Sequence, residues 1–160
     1  MDNKAIILLI AFWSFLLPSC KTNKWYDWKE LNEAMLVANR ANNPDIEVTS
    51  SGLQYRILAD PNKTEQCPHS GCIIQCDYET RLLNGTLIDK REGSTLAVYN
   101  LIPGVQEGLR HIHVHGDIEL WIPYKLAYGE TGSGTEGYKS FVPPYSALYF
   151  KVHVHASTAD

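Results

Sequence analysis

The sequence predicts an α+β fold built on an antiparallel sheet. Segments of alternating apolar and polar residues recur from Glu47 onward, the mark of strands buried on one face. One short helical pattern interrupts them, without the βαβ rhythm that a parallel sheet requires. The 160 residues, 44% hydrophobic and 20% charged, suffice for one domain with a core and a tail. The net charge is −4 and no basic stripe is present, which excludes a nucleic-acid partner.

The N-terminus reads as a targeting segment. Lys4 precedes an apolar run, "AIILLIAFWSFLL", over residues 5–17. That run is shorter than the roughly 20 residues a membrane-spanning helix needs. It fits the apolar region of a secretory signal. "LPSC" follows and resembles the lipobox of bacterial lipoproteins, with Pro18 an unusual choice inside it. The resemblance implies a signal peptide over residues 1–19, cleavage before Cys20 and lipidation of Cys20, with palmitate among the acyl chains. Several chains anchor strongly, since each buried methylene contributes about 0.8 kcal/mol. The alternative is an ordinary secreted protein cut nearby.

Export implies an oxidising compartment. "CPHSGC" has a spacing that allows a small Cys67–Cys72 disulfide loop or two free thiols. Cys76 is left over and reads as a buried thiol on a strand.

The next segment, residues 20–46, is a tether followed by a helix. In "WYDWKELNEAMLVANRANN" the apolar residues Trp25, Trp28, Leu31, Met35 and Ala38 fall at helical spacing. Asn42, Asn43 and Pro44 stop it. One amphipathic helix cannot bury its face alone, so it is expected to dock on its own domain.

"GLQYRIL" alternates as a strand. "IIQCDYETRLLNGTLID" reads as two strands joined at Asn84-Gly85, a strong hairpin sequence. "PGVQEGLRHI" starts a short helix at its proline, with Val105, Leu109 and Ile112 on one face. "DIELWIP" is another strand. In "ALYFKVHVHA", Leu148, Phe150, Val152 and Val154 form one face, and Tyr149, Lys151, His153 and His155 the other. Between these strands lies a long Gly/Pro-rich loop, a candidate binding loop. Its Gly132, Gly134 and Gly137 spell G-x-G-x-x-G, but no helix follows, so it is not a nucleotide fingerprint.

In this order, "SGLQYRIL", "DYETRLLNGTLID", "LIPGVQEGL", "IELWIPYKLAYGE" and "VPPYSALYFKVHV" resemble the FKBP-type peptidyl-prolyl cis-trans isomerases. The resemblance implies an FKBP-like domain over residues 47–157, with a curled half-barrel sheet wrapped around one short helix. It implies an active site between helix and sheet. No cofactor, nucleophile or metal is required, because the reaction is a rotation about the peptide bond before proline. Proline-containing polypeptides are the implied partners.

By the same resemblance, Tyr78, Asp89 and Tyr128 are the candidate catalytic residues. Tyr78 stands in the pocket wall, Asp89 is the pocket aspartate, and Tyr128 offers a hydroxyl to a bound carbonyl. Ile88, Leu101, Ile102, Val105, Val142 and Phe150 are the candidate substrate-binding residues. Two of these depart from the family pattern: Ile88 stands where Phe is usual and Val105 where Trp is usual. The Val removes a large aromatic surface, of the order of 200 Å². The segment "KREGSTLAVYN" is shorter than usual; it normally supplies an aromatic wall and an arginine beside the aspartate. Tyr99 and Arg91 are the candidates for those two places.

Five of the six histidines fall in "HIHVH" and "HVH". His111 is expected to end the short helix, where the dipole favours it. His113 and His115 fall in the turn that follows, and His153 and His155 on an outward strand face. No acidic or thiol partner has ligand spacing, so no metal centre is expected. The reading is a lipid-anchored prolyl isomerase assisting exported proteins to fold, in a bacterial outer membrane and facing the periplasm. A non-catalytic peptide-binding or chaperone module on the same fold is the alternative; a histidine-based metal-binding envelope protein is a weaker one.

Overall fold

A computed structural model describes residues 24–63 and 68–159. The signal segment, Cys20 and Cys67 lie outside the described residues. The elements in order are α1 (Tyr26–Asn42), β1 (Glu47–Val48), β2 (Gln54–Ala59), β3 (Cys72–Leu82), β4 (Leu87–Ala97), α2 (Pro103–Gly108), β5 (Asp117–Ile122) and β6 (Leu148–Ala159). One six-stranded sheet has the order β1-β2-β5-β6-β3-β4, with every pair antiparallel.

The hairpin forms where the Asn-Gly pair places it. Gly85 adopts φ 91°, and the Leu82 and Gly85 N–H groups close the turn on Thr86 and Leu82 carbonyls, each at 2.9 Å. Along β3 and β6 the even-numbered residues point inward, including Ile74, Cys76, Leu148, Phe150 and Val152. They meet Leu109, Ile112, Ile118, Leu120 and Ile122 in one core. Cys72 and Cys76 are buried free thiols. Bulges interrupt the β3–β4 and β3–β6 registers near Cys76, which increases local twist.

The short helix α2 starts with proline at its first turn, where a missing N–H costs nothing. It lies very close to β5. A Cβ on Gly104 would sit 2.3 Å from Ile122 Cγ2, and one on Gly108 would sit 2.5 Å from Leu120 Cδ1. Glycine four residues apart on one helix face thus sets the helix–sheet distance.

Helix α1 docks on its own domain by part of the expected stripe: Trp28 packs against the core, Trp25 lies against Phe141, and Met35 is half-buried. Leu31 is 46% exposed and Ala38 is exposed, whereas Asn32 is buried. Asn32 Oδ1 accepts the Ala147 N–H at 2.9 Å, and Asn32 Nδ2 donates to the Trp28 carbonyl at 2.8 Å. Trp28 Nε1 donates to Ser146 Oγ at 2.9 Å. Further along, Asn39 and the Leu36 carbonyl grip the two ends of the Gln54 amide. Polar side chains with distant partners therefore rotate the buried face away from the purely apolar one.

Candidate active site

A cleft of about 230 Å³ opens between the start of α2, the 98–102 turn and the inner face of the sheet. Strand β3 contributes Tyr78 and Thr80, β4 contributes Ile88, Asp89 and Leu96, and β6 contributes Leu148 and Phe150. Asn100, Leu101, Ile102 and Val105 form the helix side, and Tyr128 stands at the rim. Strand alternation explains the sheet side, since residues two apart share a face.

Tyr78 and Phe150 stack, with ring centroids 5.6 Å apart and planes at 14°. The Tyr78 hydroxyl donates to Asp89 Oδ2 at 2.6 Å. Burial first, and then the adjacent Asp89 carboxylate, push the Tyr78 phenol up to about 12. Asp89 shifts the other way. The Tyr78 hydrogen bond holds its carboxyl below the usual range, against the opposing effect of burial, with Arg91 and the Lys90 N–H adding to it. Arg91 Nε lies 3.2 Å from Asp89 Oδ1. The pair is a fixed, charged acceptor at the edge of an apolar wall.

The helix side offers the backbone. Leu101 and Ile102 are extended, at ψ 159° and 148°. The Leu101 N–H bonds back to the Val98 carbonyl at 3.0 Å, and the Ile102 carbonyl accepts from Val105 and Gln106. The Ile102 N–H and the Tyr128 hydroxyl have no hydrogen-bond partner among the described residues. Val105 is 2% exposed and forms part of the floor.

The cleft thus brings together Tyr78, Ile88, Asp89, Leu101, Ile102, Val105, Tyr128 and Phe150. Val142 is not on its lining; it is buried and pairs with Ser133, closing the base of the Gly-rich loop. Gly132 makes that closure possible, since a Cβ there would sit 2.2 Å from the Val142 carbonyl oxygen. Of the two candidates in the shortened segment, Arg91 stands beside Asp89, whereas Tyr99 is 63% exposed and off the lining. Leu96 takes the wall position instead. Sequence reasoning missed Thr80, Leu96, Asn100 and Leu148. Period-two alternation from Tyr78 and Phe150 points to Thr80 and Leu148, and the same rule places Arg91 on the face of Asp89.

Residues 64–155 match the model of a family described as FKBP-type peptidyl-prolyl cis-trans isomerase. The chain belongs to this family. It is 33% identical over 129 residues to peptidyl-prolyl cis-trans isomerase Mip of Coxiella burnetii, covering 78% of this chain and 53% of that one. It is 31% identical over 135 residues to outer membrane protein MIP of Legionella longbeachae, covering 79% of this chain and 52% of that one. The chain thus spans about half the length of these curated relatives. In fold it is similar to the crystal structure of FkpA from Escherichia coli, with TM-score 0.74 and 24% identity, covering 99% of this chain and 74% of that one. The fold of the FKBP domain is accordingly the open antiparallel sheet with one short helix packed on its face.

A second hollow of about 290 Å³ adjoins the cleft at Tyr78 and is otherwise lined by Asp77, Glu79, Lys90, Arg91, Glu92, Lys151 and His153. Three of the histidines are paired with acids: His113 with Asp60 at 3.0 Å, His153 with Asp117 at 3.1 Å and His155 with Asp77 at 2.9 Å. His111 stacks on Tyr55 at 4.2 Å. Among the described residues, no group of three or more His, Cys, Asp or Glu is placed to hold a metal ion. Burial first, then Asp77, push the Cys76 thiol up to about 11, which makes it a poor nucleophile.

Proposed function

We propose that the cleft binds a proline-containing segment of a polypeptide and accelerates rotation about the peptide bond before the proline. That bond has a barrier of about 18–20 kcal/mol, and it isomerises unaided in roughly tens to hundreds of seconds. Rotation breaks amide resonance and reduces charge separation. An apolar, water-poor surround therefore favours the twisted state over the planar one. Phe150, the Tyr78 ring, Ile88, Leu101 and Val105 supply that surround. The Ile102 N–H fixes one substrate carbonyl, and the Tyr128 hydroxyl bonds another. Asp89, gripped by Tyr78 and Arg91, keeps the wall rigid.

The observation that supports this reading most is an apolar cleft into whose edge a backbone donor is left unpaired. The test is proline isomerisation by residues 21–160 on short peptides with varied residues before proline. Tyr128→Phe and Asp89→Ala should each lower kcat/KM by about tenfold, the equivalent of one hydrogen bond. A folded sample that accelerates no peptide would overturn the reading.

We further propose that residues 1–19 are removed, that Cys20 carries the lipid, and that residues 20–46 tether a catalytic domain of residues 47–157 to the outer membrane. Facing the periplasm, the domain would assist exported proteins. Support comes from the apolar run ending at Cys20 and from the relative named an outer membrane protein. Among the described residues, no helix is long and apolar enough to cross a membrane. Cys20→Ala should move the protein out of the membrane fraction.

A further inference from the structure

We propose that Gln106 is a positioning residue for substrate binding, its side-chain amide aiming the Ile102 N–H into the cleft. The inference rests on the reading that this N–H receives a substrate carbonyl.

The Leu101 carbonyl and the Ile102 N–H belong to one planar trans peptide group, so they point in opposite directions. Whatever grips that carbonyl from behind sets the direction of the N–H in front. Gln106 Nε2 donates to the Leu101 carbonyl at 2.7 Å and reaches the Tyr99 carbonyl at 3.3 Å. The Gln106 backbone N–H bonds the next carbonyl, that of Ile102, at 3.2 Å. One residue of α2 therefore fixes the peptide planes on both sides of Ile102.

No other described group holds the Leu101 carbonyl. Without the amide, the peptide is free to rock about its flanking torsions. The contact also polarises the peptide, which strengthens its N–H as a donor. Because the donated proton comes from a half-buried side chain, water substitutes poorly for it.

The experiment uses the full chain in detergent with ¹⁵N-isoleucine, titrated with a proline peptide. Gln106→Met keeps the length and removes the donor. It should raise peptide Kd and KM by about tenfold while kcat changes little, and should shift the Ile102 amide resonance before any peptide is added. Gln106→Glu presents an acceptor to two carbonyls at neutral pH. Its affinity should recover as the pH falls through the carboxyl's titration, because the protonated acid again donates. A residue that merely stabilised the helix would lower the melting temperature without the KM split or the acid recovery.

Unchanged Kd and KM in Gln106→Met, or in Gln106→Glu at both pH values should Gln106→Met fail to fold, would overturn the proposal while leaving the cleft reading intact. A peptide that binds the wild type without moving the Ile102 amide would bring down both.

Discussion

Tyr78 and Asp89 titrate as partners, and the consequence is measurable. The Tyr78 hydroxyl is the largest influence holding the Asp89 carboxyl low. Tyr78→Phe should therefore let Asp89 titrate closer to the ordinary carboxylate value near 4, as followed by carboxyl ¹³C shifts. An unchanged Asp89 titration would mean that Arg91 and the Lys90 N–H set it without Tyr78. Asp60 offers a second case, remote from the cleft. Burial works against its charge, but the backbone N–H and ring of His113 outweigh burial and leave its carboxyl below the usual value. A group with a depressed folded value stabilises above its unfolded value and loses that contribution as pH falls through the folded one. Asp60→Asn should accordingly cost about 1–3 kcal/mol at pH 7. The gap to the wild type in urea unfolding should close below pH ~4.

At the scale of elements, α1 is held by hydrogen bonds from Trp28, Asn32 and Asn39 together with the ring contacts of Trp25 and Tyr26. Asn32→Ala strands the buried Ala147 N–H at the entrance to β6 and should cost about 1–3 kcal/mol. Hydrogen exchange at Ala147 should accelerate with it; unchanged exchange would show that the helix contributes little there. The apolar spacing located the helix and, through Trp25, Trp28 and Met35, part of its contact face, but Leu31 and Ala38 are exposed and the polar contacts were not in the pattern. The partners that turn that face, Ala147 and Gln54, are distant in sequence, so no local pattern contains them. Strand β4 shows the complementary blind spot. Its first residues read as half a hairpin, but "KREGSTLA" carries no alternation, because an edge strand is exposed along most of its length. Its charges and the bulge at Gly93 (φ 61°) guard that edge against pairing with another chain. The bulge lies beyond Arg91, so the register from Asp89 to Arg91 is regular and the residues after it are displaced.

For the whole molecule, the order of segments carried most of the information. Individually, "LAYGE" or "VPPYSALYF" is weak; in sequence they specify the family and eight of the nine cleft residues named from it line the cleft. Val142 is the exception, because a residue adjacent in a motif to the site can face the core when a loop closes on it. The histidines, conspicuous in composition, divide by place: His113 pairs with Asp60 in the turn, while His153 and His155 share one face of β6, their rings 4.6 Å apart, and pair with Asp117 and Asp77.

The sheet order has one further consequence. Strand β6 sits between β5 and β3, and it is the last of the described strands to leave the ribosome. Before it arrives, β1, β2 and β5 form one fragment and β3 and β4 another, with nothing in the ladder to join them. A chain ending at Ala147 should therefore give no cooperative thermal transition, where the intact chain gives one; a cooperative transition in the shortened chain would refute this. Dependence on β6 also postpones folding until residues 148–159 have been synthesised. On the proposed export route, that delay would keep the chain unfolded, and so threadable, until its last described strand is made.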